Sequence, residues 1–161
     1  MNASVRPRLT VIAPMKNEAD NVGQLADDIA AACAPLAPFE AIFVNDGSDD
    51  GTSAAIAAAR ARHPWLREVR HAESCGQSAA VRSGVLAAAA PICCTLDGDG
   101  QNPPSEIPAL VAPLLNDETG RVGLVAGQRV ARQDTQSKLI ASKMANAIRS
   151  RLLKDDTRDT G

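Results

Sequence analysis

Regular alternation between short apolar runs and longer amphipathic stretches most constrains the fold of this 161-residue chain. Each apolar run ends in a polar loop, and the stretch after it repeats apolar residues every three or four positions, as a helix does. A helix that follows one strand and precedes the next serves as a crossover, so the order predicts an α/β fold with a mostly parallel, twisted sheet. The predicted strands are 9–13, 41–44, 66–71, 92–96 and 122–126, and the predicted helices are 22–33, 52–62, 78–90, 105–115 and 136–153. In the helix 78–90, the residues available to pack on the sheet are Ala79, Val81, Val85, Leu86 and Ala89.

An acidic loop after the fourth predicted strand carries the most distinctive chemistry. It has the sequence TLDGDGQNPP over residues 95–104. Residues two apart in an extended chain point the same way, so Asp97 and Asp99 can present both carboxylates to one divalent cation. Such hard oxygen ligands suit Mg²⁺ or Mn²⁺, which keep open positions for the oxygens of a diphosphate. Gly98 and Gly100 would let the backbone come close to a ligand.

Other acidic motifs fit this loop poorly. An EF-hand that began at Asp97 would need Gly at its sixth position and Glu at its twelfth, where the chain has Asn102 and Pro108. A haloacid-dehalogenase-type phosphatase would need Thr at the fifth position of its motif, where the chain has Gln101. An ordinary acidic turn remains the alternative to a metal site.

Two further loops follow predicted strands at the same edge of the sheet, where ligands of parallel sheets bind. One contains Pro14, Asn17 and Glu18, and the other has the sequence NDGSDDGT over residues 45–52. Asp46 could accept a hydrogen bond from a ribose hydroxyl or a base N–H, and Asn17 with Glu18 could do the same. The alternatives are a turn rich in turn-forming residues and a cap for the next helix.

Two weaker candidates for phosphate binding lie further along the chain. Gly76 and Gln77 precede a predicted helix, whose first backbone N–H groups could meet a phosphate. Arg129 follows the fifth predicted strand and could pair with phosphate, although a surface arginine is equally common.

The net charge of −2 hides an uneven distribution. Residues 129–161 contain eight Lys and Arg against four Asp and Glu, a balance of +4, so the first 128 residues carry −6. A basic segment beside an acidic, cation-binding part suits a phosphorylated ligand or contact with an anionic membrane. A solvated basic helix face is the alternative.

Composition excludes several classes of function. Aromatic residues make up 2% of the chain, so few side chains could stack on bases, and no nucleic-acid partner is expected. The four cysteines lack Cys-x-x-Cys spacing, which argues against a zinc site or a disulfide framework and favours the reducing cytoplasm. No apolar run approaches the ~18 residues of a membrane span. We expect His63 and His71 to be surface residues.

Together these motifs resemble glycosyltransferase family 2, the inverting transferases with a Rossmann-like, GT-A nucleotide-sugar-binding fold. Within that family they are most similar to the polyprenyl-phosphate sugar transferases such as dolichol-phosphate mannosyltransferase. The matches run from Leu9 to Gly161, and the motif that matches best is LDGDGQNPP at residues 96–104.

The resemblance implies donor-binding roles for residues that follow predicted strands. Asp46 is implied in base recognition, and Arg129 lies in a Gly-x-Arg segment implied in phosphate binding. Ser74 stands where the family usually has Asn, which is a departure from the pattern. The residues implied for the nucleotide-sugar are Pro14, Asn17, Glu18, Asp46, Gly76, Asp97 and Arg129.

The resemblance also implies a metal site and part of an acceptor site. Asp97, Asp99 and Gln101 are implied as ligands of Mg²⁺ or Mn²⁺, with Asp97 also near the ribose. Asp159 opens the acceptor-side motif and joins Asp97 and Asp99 as a catalytic candidate. Because the family pattern continues past this motif, we expect residues 1–161 to be a single catalytic domain that lacks its C-terminal, acceptor-side part.

The function implied is transfer of a sugar, with inversion, from a GDP- or UDP-sugar to a polyprenyl or dolichyl phosphate. The phosphate oxygen of that acceptor is already an anion, so no general base is required. A saccharide hydroxyl as acceptor would need a base, for which Asp159 is the candidate. A nucleotide-sugar-binding module without turnover is the other alternative. We expect a cytoplasmic protein that could contact the cytoplasmic face of a membrane.

Overall fold

The computed structural model describes residues 6–127, and their regular elements lie in a compact unit that ends at Val125. Within these residues the strands pair in parallel, in the order β3-β2-β1-β4, and helices connect them. The predicted α/β fold with a parallel sheet is therefore confirmed. The strands are β1 (Leu9–Met15), β2 (Phe39–Asp46), β3 (Leu66–His71) and β4 (Ile92–Thr95), and the helices are α1 (Ala19–Cys33), α2 (Thr52–Arg62), α3 (Gln77–Ala87) and α4 (Ile107–Leu115), with short 3₁₀ turns at Ala34–Leu36 and Pro104–Glu106.

Helices cover both faces of the sheet. Alternate residues of β1, such as Val11 and Ala13, pack in one cluster with α1, α2 and α4. Ile12 packs on the other face with Ala80 of α3. Since β1 is buried on both faces, its sequence is mostly apolar rather than alternating between apolar and polar residues.

Strand β1 continues through Pro14 to Met15, beyond the predicted end at residue 13. The C=O of Ile12 accepts the N–H of Leu96, so every second residue of β1 turns its backbone groups toward β4. Pro14 shares that orientation, but β4 has ended at Thr95. The N–H that proline lacks therefore falls where the regular pairing of β1 with β4 ends.

Helix α3 packs on the sheet through a face that differs from the predicted one. The sequence offered residues 79, 81, 85, 86 and 89 for this contact, but Ala80 and Gly84 are the buried residues of the helix. Val85 and Leu86 are 46% and 69% exposed. A Cβ on Gly84 would lie 2.4 Å from Cγ2 of Ile12, so the helix lies close to the sheet because this residue has no side chain.

The predicted strand at residues 122–126 is not formed in the described structure. The N–H of Val122 donates to Oδ2 of Asp117 at 2.6 Å, which uses it in a local turn rather than in a strand ladder. Leu124 is 84% exposed. The predicted helix 136–153 lies outside the described residues. Among the helices that are described, none has the length and apolar character needed to cross a bilayer.

Candidate functional site

An open cleft of about 390 Å³ lies at the carboxyl ends of the strands. Loops that follow β1, β3 and β4 line it, together with the end of β2. The parallel arrangement therefore brings together residues that lie far apart in the sequence. Those predicted as site residues and found in the lining are Pro14, Glu18, Asp46, Gly76, Asp97 and Asp99.

Other predicted site residues are not among those that the described structure brings to the cleft. Gln101 follows Asp99 in the acidic loop, but it is not among the residues that line the cleft. Arg129 and Asp159 fall outside the described residues. Lys16 lines the cleft and was not predicted; its Nζ donates to the C=O of Gly47 at 2.6 Å. In the sequence, only the position of Lys16 next to Asn17 could have indicated that it belongs to the site.

The predicted residue Asn17 joins two loops. Its Nδ2 donates to Oδ1 of Asp49 at 2.7 Å, and its Oδ1 accepts the N–H of Asp49 at 3.1 Å. Its own N–H donates to Oγ of Ser48 at 3.0 Å, and its φ of 56° lies in the left-handed region that Asn tolerates better than most residues. In this arrangement the Asn17 side chain fixes the β1–α1 loop against the β2–α2 loop.

Asp50, which was not predicted as a site residue, caps the starts of two helices. One carboxylate oxygen accepts the N–H of Thr52 at 2.9 Å, and the other accepts the N–H of Ala19 at 3.3 Å. The Thr52 hydroxyl, which also donates to it, is the main cause of the lowered pKa of Asp50. These contacts explain why α1 begins at Ala19, before the predicted residue 22.

Asp46 ends β2 and is only 3% exposed. Its Oδ1 accepts hydrogen bonds from Nδ1 of His71 at 2.6 Å and from the N–H of Cys75 at 2.8 Å. Its Oδ2 accepts them from Oγ of Ser74 at 2.8 Å and from the N–H of Gly76 at 2.9 Å. Burial raises the pKa of this carboxyl, but the four hydrogen bonds outweigh burial and leave the pKa well below its ordinary value.

The prediction that both histidines are surface residues is wrong. The side chains of His63 and His71 are each 14% exposed, and each contacts an aspartate. His63 Nε2 lies 2.7 Å from Oδ1 of Asp27. His71 uses both ring nitrogens, because Nε2 lies 2.8 Å from Oγ of Ser83. Paired polar side chains of this kind can be buried without an unsatisfied donor or acceptor.

His71 also belongs to a group of potential metal ligands. Ligand atoms of Asp46, His71 and Cys75 all lie within 4.8 Å of one another. Each oxygen of Asp46 already accepts two hydrogen bonds, and Nδ1 of His71 donates directly to one of them. Hydrogen bonds therefore account for this cluster without a cation.

Asp97 and Asp99 differ in their surroundings. Half-buried Asp97 accepts Nε2 of Gln77 on one oxygen at 3.0 Å and Nδ2 of Asn102 on the other at 2.7 Å. Exposed Asp99 accepts the N–H of Gln101 on Oδ1 at 3.0 Å. Both carboxylates line the cleft, so hard oxygen ligands that would fit Mg²⁺ or Mn²⁺ face the same space.

Gly98 lets the acidic loop cross the end of β1. A Cβ at this position would lie 2.4 Å from the carbonyl oxygen of Pro14 and 2.6 Å from Sδ of Met15. The expected close approach at Gly98 is therefore made to the chain's own backbone. Gly100 has a φ of 73°, which is the left-handed conformation that glycine adopts readily.

Comparison with protein families and solved structures agrees with this architecture. The family model for glycosyl transferase family 2 matches residues 10–160. A mannosyltransferase from Pyrobaculum calidifontis, solved with GDP-Man and Mn²⁺, superposes with a TM-score of 0.61 at 30% identity, covering 72% of this chain and 34% of that one. Glucosyl-3-phosphoglycerate synthase from Mycobacterium tuberculosis, solved with Mn²⁺ and UDP, gives a TM-score of 0.55 at 25% identity over 70% of this chain and 41% of that one.

Among curated relatives, similarity is found to undecaprenyl-phosphate 4-deoxy-4-formamido-L-arabinose transferases. The protein of that name from Sodalis glossinidius is 34% identical over 143 residues, which cover 88% of this chain and 43% of that protein. The chain therefore spans less than half the length of this relative.

Proposed function

Since the chain belongs to glycosyl transferase family 2 and has its GT-A fold, we propose that the strand-end cleft binds a nucleotide-sugar together with a divalent cation. The observation that carries the proposal is that Asp97 and Asp99 share one cleft with Asp46 and the turn at Gly76. These groups come from three strand ends, which is where parallel sheets bind ligands.

The cation would be held by Asp97 and Asp99; family resemblance alone adds Gln101 as a third ligand, since it does not line the cleft. Asp99 is exposed, and Asp97 is already oriented by the amides of Gln77 and Asn102, so the carboxylates suit this role. When bound, Mg²⁺ or Mn²⁺ would neutralise the charge that develops on the departing nucleoside diphosphate. Solved relatives that carry Mn²⁺ support the choice of a divalent cation.

The support for a role in binding the nucleotide part of the donor differs from residue to residue. Pro14, Glu18 and Gly76 line the cleft and could contact it directly. Asp46 lines the cleft too, but it is saturated with hydrogen bonds, so we propose that it shapes the donor site by holding the 74–76 turn. Asn17 would act in the same way on the β1–α1 loop, and Arg129 is proposed for phosphate by family resemblance.

We propose a polyprenyl phosphate as the acceptor of the whole protein. The support is the name of the curated relatives, which are undecaprenyl-phosphate sugar transferases. Such an acceptor attacks through a phosphate oxygen that is already ionised, so no general base is needed. Asp159 remains the proposed acceptor-side residue. A saccharide hydroxyl as acceptor, and nucleotide-sugar binding without turnover, are the alternative outcomes of the test.

A lipid acceptor places the reaction at a membrane surface. We propose the cytoplasmic face, with the basic segment 129–161 in contact with anionic lipid, because its balance of +4 would be attracted there. Flotation with phosphatidylglycerol vesicles should show binding at low salt that is lost at high salt. Binding that does not respond to salt would contradict the electrostatic contact.

Titration calorimetry of the 161-residue chain with UDP, GDP and their sugar derivatives tests the donor site. We expect one nucleotide to bind in Mn²⁺ and to bind much more weakly with EDTA. Transfer of radiolabelled sugar to undecaprenyl phosphate then tests the acceptor, with a soluble saccharide as the competing acceptor. Failure of every nucleotide to bind in Mn²⁺ would overturn the proposed function.

A further inference from the structure

We infer that His71, which contacts Ser83, is a positioning residue that sets the nucleotide affinity of the cleft through Asp46. Neither His71 nor Ser83 belongs to the cleft lining. The inference rests on the proposed donor-binding role of the cleft for its effect on affinity, and on the hydrogen bonds of the described residues for its mechanism.

A line of contacts runs from α3 to the end of β2. Ser83 lies on α3, and its Oγ is 2.8 Å from Nε2 of His71. His71 ends β3 beside Asp46, which is its partner in the parallel register. Its Nδ1 lies 2.6 Å from Oδ1 of Asp46. An ionised carboxylate only accepts hydrogen bonds, so Nδ1 carries the proton and donates.

Hydrogen bonds also link Asp46 to the turn before α3. Besides His71, the carboxylate accepts the hydroxyl of Ser74 and the N–H groups of Cys75 and Gly76. Gly76 has a φ of 91°, so the chain turns there in a conformation that few residues adopt. The turn is thus held by one carboxylate, and that carboxylate is oriented by His71.

The contacts continue from this turn to the acidic loop. Gln77 follows the turn directly as the first residue of α3, and its Nε2 donates to Oδ1 of Asp97 at 3.0 Å. A shift of the turn would therefore move a donor of Asp97 as well as Gly76 in the cleft lining. Small displacements of groups that bind a ligand are costly, so affinity should depend on residues that fix the turn.

His71 has a matched control elsewhere in the fold. His63 also has a side chain 14% exposed and also contacts an aspartate, but it follows α2 and packs near the opposite end of the sheet. His71→Ala and His63→Ala should therefore cost comparable stability, while only His71→Ala should alter the cleft. His71→Asn can keep a donor near the position of Nδ1 and lose only the contact to Ser83.

The experiment uses the 161-residue chain in two arms. In the absence of nucleotide, amide hydrogen exchange at Cys75 and Gly76 should be faster in His71→Ala than in wild type and unchanged in His63→Ala. In Mn²⁺, calorimetry with UDP and GDP should show about tenfold weaker binding for His71→Ala, corresponding to the loss of one buried hydrogen bond. His71→Asn and Ser83→Ala should stay within about threefold of wild type, as expected for a partly preserved contact.

Unchanged exchange at Cys75 and Gly76 in His71→Ala would overturn the inference, as would equal effects of His71→Ala and His63→Ala on affinity. If wild type binds neither nucleotide, the proposed function fails instead. The exchange arm then still decides whether His71 holds the turn, because it needs no ligand.

Discussion

Nε2 of Gln77 lies 3.0 Å from Oδ1 of Asp97, so the first residue of α3 is joined to the acidic loop after β4. Asn102 donates to the other oxygen of the same carboxylate at 2.7 Å. Two neutral amides therefore fix the direction of Asp97 without neutralising its charge. A carboxylate held in this way loses less freedom when it binds a cation or a ribose hydroxyl.

Replacing Gln77 with Ala should weaken UDP or GDP binding in Mn²⁺ several-fold, because Asp97 loses one of the amides that orient it. Gln77→Glu should weaken binding further, since it places a second negative charge beside Asp97. Gln24→Ala is the matched control, because the Gln24 amide donates to exposed Asp28 at 2.8 Å on α1. Calorimetry with equal affinities for the Gln77→Ala and Gln24→Ala variants would contradict an orienting role.

Asp99→Asn should weaken nucleotide binding in Mn²⁺ and leave binding in EDTA nearly unchanged. Two unit charges about 4 Å apart interact by about 4 kcal/mol at an effective dielectric of about 20, so loss of a metal-binding carboxylate should cost at least tenfold in affinity. Glu106→Gln, an exposed acid of the 3₁₀ turn before α4, is the control. Equal affinity of wild type and Asp99→Asn in Mn²⁺ would remove Asp99 from the proposed metal site.

The strand-end loops could be predicted from sequence because parallel topology leaves little choice about where they meet. Once strands and crossover helices alternate, the residues after β1 and β4 must lie at one edge of the sheet. The grouping of Pro14, Asp46, Asp97 and Asp99 in one cleft follows from that rule. The family was recognisable for the same reason, since its motifs occupy those loops.

What each site residue contacts could not be predicted. The bond between Asp46 and His71 spans 25 positions and depends on the register of β2 against β3, which the sequence does not fix. Similarly, Asn17 resembled a ligand-binding residue, but its amide is used by Asp49. Polar side chains in adjoining loops can satisfy one another or a ligand, and only the structure distinguishes these uses.

The buried face of α3 could not be predicted from the sequence either. In an Ala-rich helix the large apolar residues suggested Val85 and Leu86 as core residues, but these are exposed. Close packing favoured Ala80 and Gly84, because small residues bring the helix axis nearer to the sheet. A search for apolar periodicity selects the most hydrophobic residues. It does not detect positions where a small residue or a glycine lets the helix pack closer to the sheet.

Gly84→Ala should therefore destabilise the protein by about 1–3 kcal/mol, the usual cost of overpacking a close contact. The new Cβ would lie 2.4 Å from Cγ2 of Ile12 and 3.2 Å from Cγ2 of Val44. Gly23→Ala in α1 is the matched control, since its Cβ would meet only Nη2 of Arg62 at 3.7 Å. That variant should be neutral or more stable by up to about 1 kcal/mol, as Ala favours helix. Urea unfolding of both variants measures the difference, and equal stabilities would contradict the packing argument.

Glu40 should make the stability of the fold depend on pH. It is 7% exposed and accepts hydrogen bonds from Oγ1 of Thr10 at 2.8 Å, Nη1 of Arg67 at 2.9 Å and the N–H of Ala89 at 2.6 Å. Burial raises the pKa of this carboxyl, but the hydrogen bonds and the charge of Arg67 outweigh burial, so the pKa lies below its usual 4.5.

A carboxyl whose pKa is lower in the folded than in the unfolded state stabilises the fold above the unfolded pKa, and that stabilisation is lost as the pH falls through the folded pKa. Wild type should therefore exceed Glu40→Gln in free energy of unfolding at neutral pH, and the gap should narrow as the pH falls below about 4.5. Urea unfolding from pH 7 to pH 3 measures both curves. Glu106→Gln, at an exposed position, is the control for replacing a glutamate by glutamine. A constant gap between wild type and Glu40→Gln over this range would show that the ionised form of Glu40 is not what stabilises the fold.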